Sequence, residues 1–239
     1  MTGRPEGRAG RPPLTERRRN ATRMEIADEA VRLFVVQGVA ATTAEDIASA
    51  AGVSTRTLWR YFRSKEECVR PLLAAGIEMA TERLRAYWRG DGSFAHAISG
   101  FDDPGTVAAQ PIEALRDLVR LSRDEPGLRA VWLEAHFDAE EVFAGVIAEG
   151  TGRSARDLAV RVEAGMLNAA LRVAVEDWAV QPVEPEGPSL GEALAAALLL
   201  VARLFETGAA DASGATRLLR LSVIGPAARD DPSDRRVTD

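Results

Sequence analysis

The sequence predicts an all-α protein in which a small, basic N-terminal domain is followed by a larger, acidic helical domain. Alanine is abundant and runs of β-branched residues are short, a composition that favours helix over strand. Apolar residues recur at three- and four-residue spacing, and glycine and proline separate these periodic segments. Residues 1–65 hold 12 basic and 7 acidic residues, a charge of +5, whereas residues 66–239 carry −11. This division indicates that only the N-terminal domain faces a polyanion.

Four helices are predicted in the N-terminal third of the chain. The first covers about 15–37 and ends before Gly38, a favoured helix stop. The second begins after Thr43, and the third is capped by Ser54 and continues to about Tyr61. A capping box that opens at Ser64 predicts a fourth helix over 64–89, bent at Pro71 because the proline ring interrupts the helical hydrogen bonds.

Four more helices are predicted in the remainder, over 112–123, 127–149, 154–180 and 189–207. Glycine and proline predict a loop over 90–111, and the loss of apolar periodicity predicts partial disorder over 208–239. We therefore expect a flexible basic arm over 1–14, a small helical domain over 15–65, a larger helical domain over 66–207, and a tail over 208–239.

Motifs for catalysis and for metal or cofactor binding are missing from the sequence. The single cysteine, Cys68, excludes an intrachain disulfide, and the two histidines, His96 and His136, lack the spacing of a zinc site. The only lysine, Lys65, follows no glycine-rich loop, and no nucleophile elbow or dinucleotide fingerprint occurs. We expect no enzymatic activity, no catalytic residues, no metal and no cofactor.

The sequence also predicts a cytoplasmic protein with no membrane partner. The N-terminus is polar and rich in arginine, without the apolar segment of a secretory signal. The longest apolar run covers ten residues, 193–202, about half of a membrane span.

The segment 44–65 predicts a helix-turn-helix. Ala48 and Ala51 are small enough for two helices to approach closely, and Gly52 tolerates the backbone conformation of a tight turn. Val53 and Leu58 would pack the second helix on the first, which leaves its opposite face free for a DNA major groove.

Two sets of side chains on this segment are predicted to contact DNA. Hydrogen bonds to base edges are predicted for Thr55, Arg56 and Arg60, and arginine suits the paired acceptors of guanine. Groups suited to phosphate are Thr43, Thr57, Trp59, Tyr61 and Lys65, and Ser54 at the start of the helix completes the predicted site. Capping alone is the alternative for Thr43 and Ser54, and core packing is the alternative for the two aromatic residues. For Arg56 and Arg60 the alternative is a solvated charge without a DNA contact. A lysine at a helix N-terminus opposes the helix dipole, which favours a phosphate role for Lys65 over a stabilising one.

These motifs resemble the DNA-binding domain of TetR-family regulators. The matching segments are IADEAVRLF at 26–34, Gly38, Thr42-Thr43, Ile47-Ala48, AGVS at 51–54, TLWRYF at 57–62 and SKE at 64–66. Trp59 departs from the pattern, since the family more often has Tyr or Phe there. The resemblance implies a homodimeric repressor that binds a near-palindromic double-stranded DNA operator and is released by a small-molecule effector. The segments at 113–116 and 124–129 resemble the C-terminal domains of a mainly actinobacterial TetR subgroup, which leaves the effector unidentified.

Within the acidic domain, the resemblance implies dimerisation through helices 154–180 and 189–207. The second of these has a wide apolar face, which a helix must bury. A polar stripe on the first helix and aromatic residues on the 127–149 helix suggest an effector pocket. Its candidate residues are Trp132, His136, Phe137, Asn168 and Arg172. A solvated helix face and ordinary core packing are the alternatives for these residues. For the whole chain, the alternatives are an effector-binding adaptor that does not read DNA and a transcriptional activator.

Overall fold

The computed structural model describes residues 14–89, 112–183 and 187–208. Within these ranges the chain forms α-helices and one short 3-10 helix, with no strand, so the all-α prediction is confirmed. The α-helices are α1 (Leu14–Gln37), α2 (Ala44–Ala50), α3 (Thr55–Tyr61), α4 (Arg70–Arg89), α5 (Ile112–Asp124), α6 (Pro126–Thr151), α7 (Leu158–Val180) and α8 (Leu190–Gly208). The predicted arm up to residue 13, the loop over 90–111 and the tail from residue 209 lie outside the described residues.

The segment predicted as one bent helix over 64–89 consists of two helices. A 3-10 helix (Glu66–Val69) leads into α4 at Arg70. Pro71 therefore lies in the first turn of α4, a position that proline tolerates, and the bend predicted at this residue stays a prediction. The Ser64 hydroxyl accepts a hydrogen bond from the Glu67 amide at 3.2 Å, as in a capping box, but the Glu67 carboxylate accepts from the Arg63 amide instead of from Ser64.

The helix predicted to begin at residue 154 begins at Leu158. Asp157 precedes it, and its amide donates to the Ser154 carbonyl at 3.0 Å. The Ser154 amide donates in turn to the Asp157 carboxylate at 3.3 Å. Short polar side chains of this kind satisfy the backbone locally, which favours a turn over another turn of helix.

The chain divides into two compact units between Leu73 and Ala74. In the first unit α1 packs on α2 and on the 3-10 helix, and α2 packs on α3. The buried core of this unit includes Ile26, Phe34, Ile47, Leu58, Cys68 and Leu72. Burial raises the pKa of the Cys68 thiol to about 12, so that it is a protonated core side chain. The predicted boundary at residue 65 lies inside this unit.

In the second unit α6 packs against both α5 and α7, and α7 packs against α8. Two arginines of α5 bind the C-terminus of α7. The Arg116 guanidinium lies 4.1 Å from the centre of the buried Trp178 ring and donates to the Gln181 carbonyl at 3.1 Å. Arg120 donates to the carbonyl of Ala179 at 2.5 Å. These cations compensate the negative end of the helix dipole and satisfy carbonyls that the helix leaves unpaired.

Candidate DNA-binding and effector sites

The two short helices of the first unit form a helix-turn-helix. Gly52 has a φ of 65°, the left-handed conformation that glycine adopts without strain, and the Val53 amide closes the turn on the Ala48 carbonyl at 2.9 Å. Ile47 of α2 and Leu58 of α3 are fully buried. Because the apolar side of α3 is occupied in this way, its other side faces outward.

Thr43 caps α2 through a capping box with Asp46. The Thr43 amide and hydroxyl both donate to the Asp46 carboxylate, at 2.9 and 2.7 Å, and the Asp46 amide donates to the Thr43 hydroxyl at 3.1 Å. The hydrogen bond from the Thr43 hydroxyl, followed by that from its amide, lowers the pKa of Asp46. The N-terminus of α2 is therefore held in one conformation.

Ser54 caps α3, the helix that carries the predicted base contacts. Its hydroxyl accepts a hydrogen bond from the Thr57 amide at 3.1 Å and lies 2.9 Å from the Thr57 hydroxyl. Both residues thus stabilise the start of α3, and their hydroxyl groups remain near the surface.

The outward face of α3 is basic and contains no acidic residue. Arg56 and Arg60 are exposed, Thr55 and Tyr61 are partly exposed, and Trp59 is 47% exposed. The Arg60 guanidinium lies 5.1 Å from the centre of the Tyr61 ring and 3.4 Å from its hydroxyl. Tyr61 thereby limits the positions that the Arg60 side chain adopts, whereas Arg56 extends into solvent.

Lys65 has two hydrogen-bond partners inside the protein. Its ammonium donates to the carbonyl of Val39 at 2.6 Å and to that of Thr42 at 2.9 Å. The sequence favoured a phosphate contact over a stabilising role for Lys65; the structure shows that the ammonium also has stabilising contacts, and the phosphate contact stays a prediction. One N–H of the ammonium is left for another acceptor.

Four of the five predicted effector-site residues lie together, where α6 packs on α7. Trp132 donates to the Glu176 carboxylate at 2.8 Å, and Arg172 donates to both oxygens of that carboxylate at 2.9 Å. The rings of Trp132 and His136 meet edge to face with centres 4.4 Å apart. His136 in turn contacts the buried Asn168.

The Asn168 amide fixes the tautomer of His136. Its Nδ2 donates to the His136 carbonyl at 2.9 Å and lies 3.5 Å from the Glu140 carboxylate, two groups that only accept. Asn168 Oδ1 therefore faces His136 Nδ1 at 2.9 Å, which makes Nδ1 the protonated nitrogen and Nε2 the acceptor. Burial lowers the pKa of His136 and keeps the ring neutral near pH 7.

Phe137 does not join this network. Its side chain is 73% exposed and lines a separate crevice of about 670 Å³ together with charged residues of α6 and α7. Glu140 lines the crevice and also contacts Asn168, so it connects the two regions. Phe137 directly follows His136 in the sequence. Because adjacent residues on a helix do not face the same side, the two side chains point in different directions from α6.

The buried ion pair between Arg153 and Glu163 was not predicted. Glu163 is on the core side of α7, and Arg153 reaches it from the turn before that helix. An acidic residue within an apolar helical pattern could have indicated a buried partner, but many arginines were possible partners.

Within the described ranges, histidine, cysteine and carboxylate side chains form no group of three that could hold a metal ion. In the same ranges, each helix is too short or too polar to cross a membrane.

A capped pair of short helices whose second member presents a basic, outward face defines a helix-turn-helix DNA-binding regulator. The model of the bacterial regulatory proteins of the tetR family matches residues 26–72, and that of the MftR C-terminal domain matches residues 93–206. The chain belongs to the TetR family of transcriptional regulators, as its motifs predicted.

Two curated relatives match most of the chain. The transcriptional regulator TcmR of Streptomyces glaucescens is 30% identical over 175 residues, which cover 70% of this chain and 77% of the relative. MftR of Mycobacterium tuberculosis, a putative mycofactocin biosynthesis transcriptional regulator, is 28% identical over 194 residues, which cover 77% of this chain and 91% of MftR.

A solved structure similar to this chain is that of Thermus thermophilus FadR, a TetR-family repressor in complex with lauroyl-CoA. It is 24% identical, has a TM-score of 0.46, and the match covers 75% of this chain and 93% of FadR.

Proposed function

We propose that the protein is a homodimeric repressor that binds a near-palindromic operator and leaves it when a small-molecule effector binds. The observation that carries this proposal is the outward face of α3, on which Arg56 and Arg60 are exposed while the buried Leu58 fixes the helix to its support. A regulator of this kind needs no catalytic group, so we propose no enzymatic activity. Its action on DNA would take place in the cytoplasm.

The proposed base contacts are made by Thr55, Arg56 and Arg60. Arg56 and Arg60 project from the side of α3 opposite Leu58, and Thr55 is partly exposed in the first turn of the helix. Phosphate contacts are proposed for the flanking residues Thr43, Ser54, Thr57, Trp59, Tyr61 and Lys65. Thr43 and Ser54 stand at the N-termini of α2 and α3, where free amides favour an anion. Capping and phosphate contact are compatible, because a capping hydroxyl keeps acceptor and donor capacity.

The proposed dimer interface lies on α7 and α8. Exposed apolar side chains occur on both helices, at Val162, Val173 and Val180 of α7 and at Leu199 and Leu200 of α8. Alanines line a groove of about 590 Å³ between the two helices, so a partner helix could approach closely. Exposed apolar surface of this extent commonly marks an interface.

We propose that the effector acts on the network of Trp132, His136, Asn168 and Arg172. A ligand that replaces Glu176 as the partner of Trp132 and Arg172 would break the Trp132–Glu176 hydrogen bond that joins α6 to α7 and the Arg172–Glu176 ion pair within α7. Phe137 and its crevice border this network at Glu140 and offer an aromatic surface beside it. The chemistry of these residues suits a ligand with hydrogen-bonding groups and an apolar part.

Selection of bound sequences from random double-stranded DNA tests the proposed DNA-binding function. We expect enrichment of an inverted repeat whose half-sites are separated by about one helical turn or a multiple of it. A reporter gene behind the enriched sequence should be silenced by the protein; increased expression would identify an activator. Failure to enrich any sequence would favour an adaptor that does not read DNA.

A further inference from the structure

The carboxylate of Glu176 is bound by donors from two helices. Trp132 of α6 donates its indole N–H to one oxygen at 2.8 Å, and Arg172 of α7 donates to both oxygens at 2.9 Å. Trp132 is only 3% exposed, and a buried indole N–H needs a hydrogen-bond acceptor. The indole and the guanidinium therefore form a binding site for a negatively charged acceptor.

Other pairs of arginine and glutamate on the helices lack this second donor. Arg32 contacts Glu29 at 2.7 Å, and Arg85 contacts Glu82 at 2.6 Å, in each case three residues apart on one helix. Within the described residues, neither of these glutamates accepts a hydrogen bond from another helix. The buried indole thus distinguishes the Glu176 carboxylate from an ordinary ion pair on a helix surface.

Glu176 is able to leave this site while the fold persists. Its side chain and that of Arg172 are each 27% exposed, and the two residues are one turn apart on α7. An ion pair of this kind at the edge of the solvent contributes little to stability. The Trp132 N–H stays buried when Glu176 turns outward, beside a positive charge. A new acceptor with a negative charge satisfies both donors, whereas a neutral group leaves the charge unpaired.

We infer that the effector is a carboxylic acid, whose carboxylate replaces that of Glu176 between Trp132 and Arg172. The inference rests on the proposed function, since it names the chemical class of the ligand that acts on this network. Glu176 is then an internal occupant of the site and competes with the ligand. A carboxylate has two oxygens for these donors, in the arrangement that Glu176 adopts. A neutral amide has only one oxygen that accepts.

Chemical rescue of Glu176→Ala tests this inference. The substitution removes a methylene and a carboxylate, which acetate resembles in size and charge, and both donors stay in place. We expect acetate at ten times its dissociation constant to raise the melting temperature of this variant by about 3–5 °C. Acetamide at the same concentration should have little effect, and sodium chloride of equal ionic strength serves as the salt control.

The indole N–H signals show where acetate binds. The chain has four tryptophans, and Trp132→Phe identifies the signal of Trp132 in a proton–nitrogen NMR spectrum. In Glu176→Ala we expect acetate to shift this signal towards its wild-type position. Acetate should bind the variant at least about tenfold more tightly than the wild type, because the internal occupant of the site is gone.

Two control variants separate this site from general effects of acetate. Glu29→Ala breaks the exposed ion pair with Arg32 and should respond to acetate no more than the wild type. The double variant Glu176→Ala/Arg172→Met also lacks the cation and should lose the rescue. Rescue of equal size in the double variant would contradict the assignment of Arg172.

Glu176→Ser keeps a polar side chain at the surface and repeats the titration if Glu176→Ala is unstable. The inference is overturned if acetate leaves the Trp132 signal unchanged in these variants, or if acetamide acts as strongly as acetate. None of these measurements involves DNA. A wild-type protein that selected no DNA sequence would therefore refute the proposed function, while the titrations still decided whether this site takes a carboxylate.

Discussion

Arg153 binds both carboxylate oxygens of Glu163, whose side chain is only 1% exposed. The Nη1 atom of Arg153 lies 2.9 Å from Oε1 of Glu163, and its Nη2 contacts Oε2. This hydrogen bonding raises the pKa of Arg153, so its guanidinium remains charged. The contact joins the turn after α6 to the buried side of α7 and should be a large contributor to the stability of the second unit.

We predict that Arg153→Met lowers the free energy of unfolding by about 3–5 kcal/mol, because it leaves a buried carboxylate without its partner. The double variant Arg153→Met/Glu163→Met removes both charges and should recover most of that loss. Urea denaturation followed by circular dichroism measures both values. If Arg153→Met were as stable as the wild type, the Glu163 carboxylate would have to be solvated by groups other than Arg153, and the prediction would be wrong.

The low pKa of Asp46 predicts an acid-sensitive contribution to stability. A carboxylate whose pKa is lowered in the folded state stabilises the protein above the unfolded pKa, near 3.9, and loses that contribution as the pH falls through its folded pKa. The stability difference between wild type and Asp46→Asn should therefore be full at pH 7 and disappear in strong acid.

Thr43→Ala is the matched control for Asp46, since it removes the hydroxyl that lowers the pKa of that carboxyl. We expect it to cost about 1 kcal/mol at pH 7, the usual value of an N-cap, and to reduce the pH dependence attributed to Asp46. Urea denaturation from pH 7 down to about pH 2, which extends below the unfolded pKa, measures both effects. A difference between wild type and Asp46→Asn that is independent of pH would contradict this assignment.

His136 predicts a second pH dependence, in a different range. Burial lowers its pKa in the folded protein, so the unfolded chain takes up a proton first as the pH falls below about 6.5. The contribution of neutral His136 to the free energy of unfolding is therefore complete above this pH. It decreases as the pH falls further, until the pH reaches the folded pKa of His136. We expect wild type to lose more stability than His136→Gln between pH 7.5 and pH 5, measured by denaturation at each pH. Parallel curves for the two proteins would mean that His136 titrates alike in both states.

The order of the helices was predictable from local signals, because each depends on neighbouring residues. Thr43 and Ser54 were predicted as caps from their position before a periodic segment, and the structure confirms both caps. The first residue of a helix was less predictable where the preceding segment forms a turn instead of a further turn of helix. The Asp157 carboxylate accepts from the Ser154 amide, and the Asp157 amide donates to the Ser154 carbonyl. Because these hydrogen bonds form a turn, α7 begins only at Leu158, and the apolar periodicity does not predict this start.

Contacts between distant residues were the part that sequence reasoning missed. The partners of Lys65 lie more than 20 residues away, so its local position at a helix start suggested a different role. For Trp132 and His136 the helical spacing predicted proximity, and the structure brings their rings together; the contact of His136 with Asn168 of another helix was not predictable from spacing. Helical spacing could not predict that Glu176 would complete the network, because this contact depends on the rotation of α6 against α7. That Phe137 points away from His136 was predictable, since adjacent residues on a helix do not face the same side.

Removal of a predicted base contact should affect both affinity and specificity. Arg60→Ala is expected to weaken operator binding by about 1–3 kcal/mol and to relax the preference at one or two base pairs. Arg32→Ala is the control, since it removes an equal charge that is paired with Glu29 on α1. Fluorescence anisotropy with operators that carry single base-pair changes measures both properties. An equal loss of affinity for all sequences would assign Arg60 to the phosphate backbone.

The central claim is that α3 reads DNA sequence for a dimeric repressor. Its most direct test is the affinity of the protein for an inverted-repeat operator and for a scrambled duplex of the same length and composition, at several salt concentrations. We predict binding of two chains per operator and an affinity at least about a thousandfold higher for the operator at physiological salt. Equal affinities for the two duplexes, both falling steeply with salt, would show a basic surface that does not read sequence and would contradict the account.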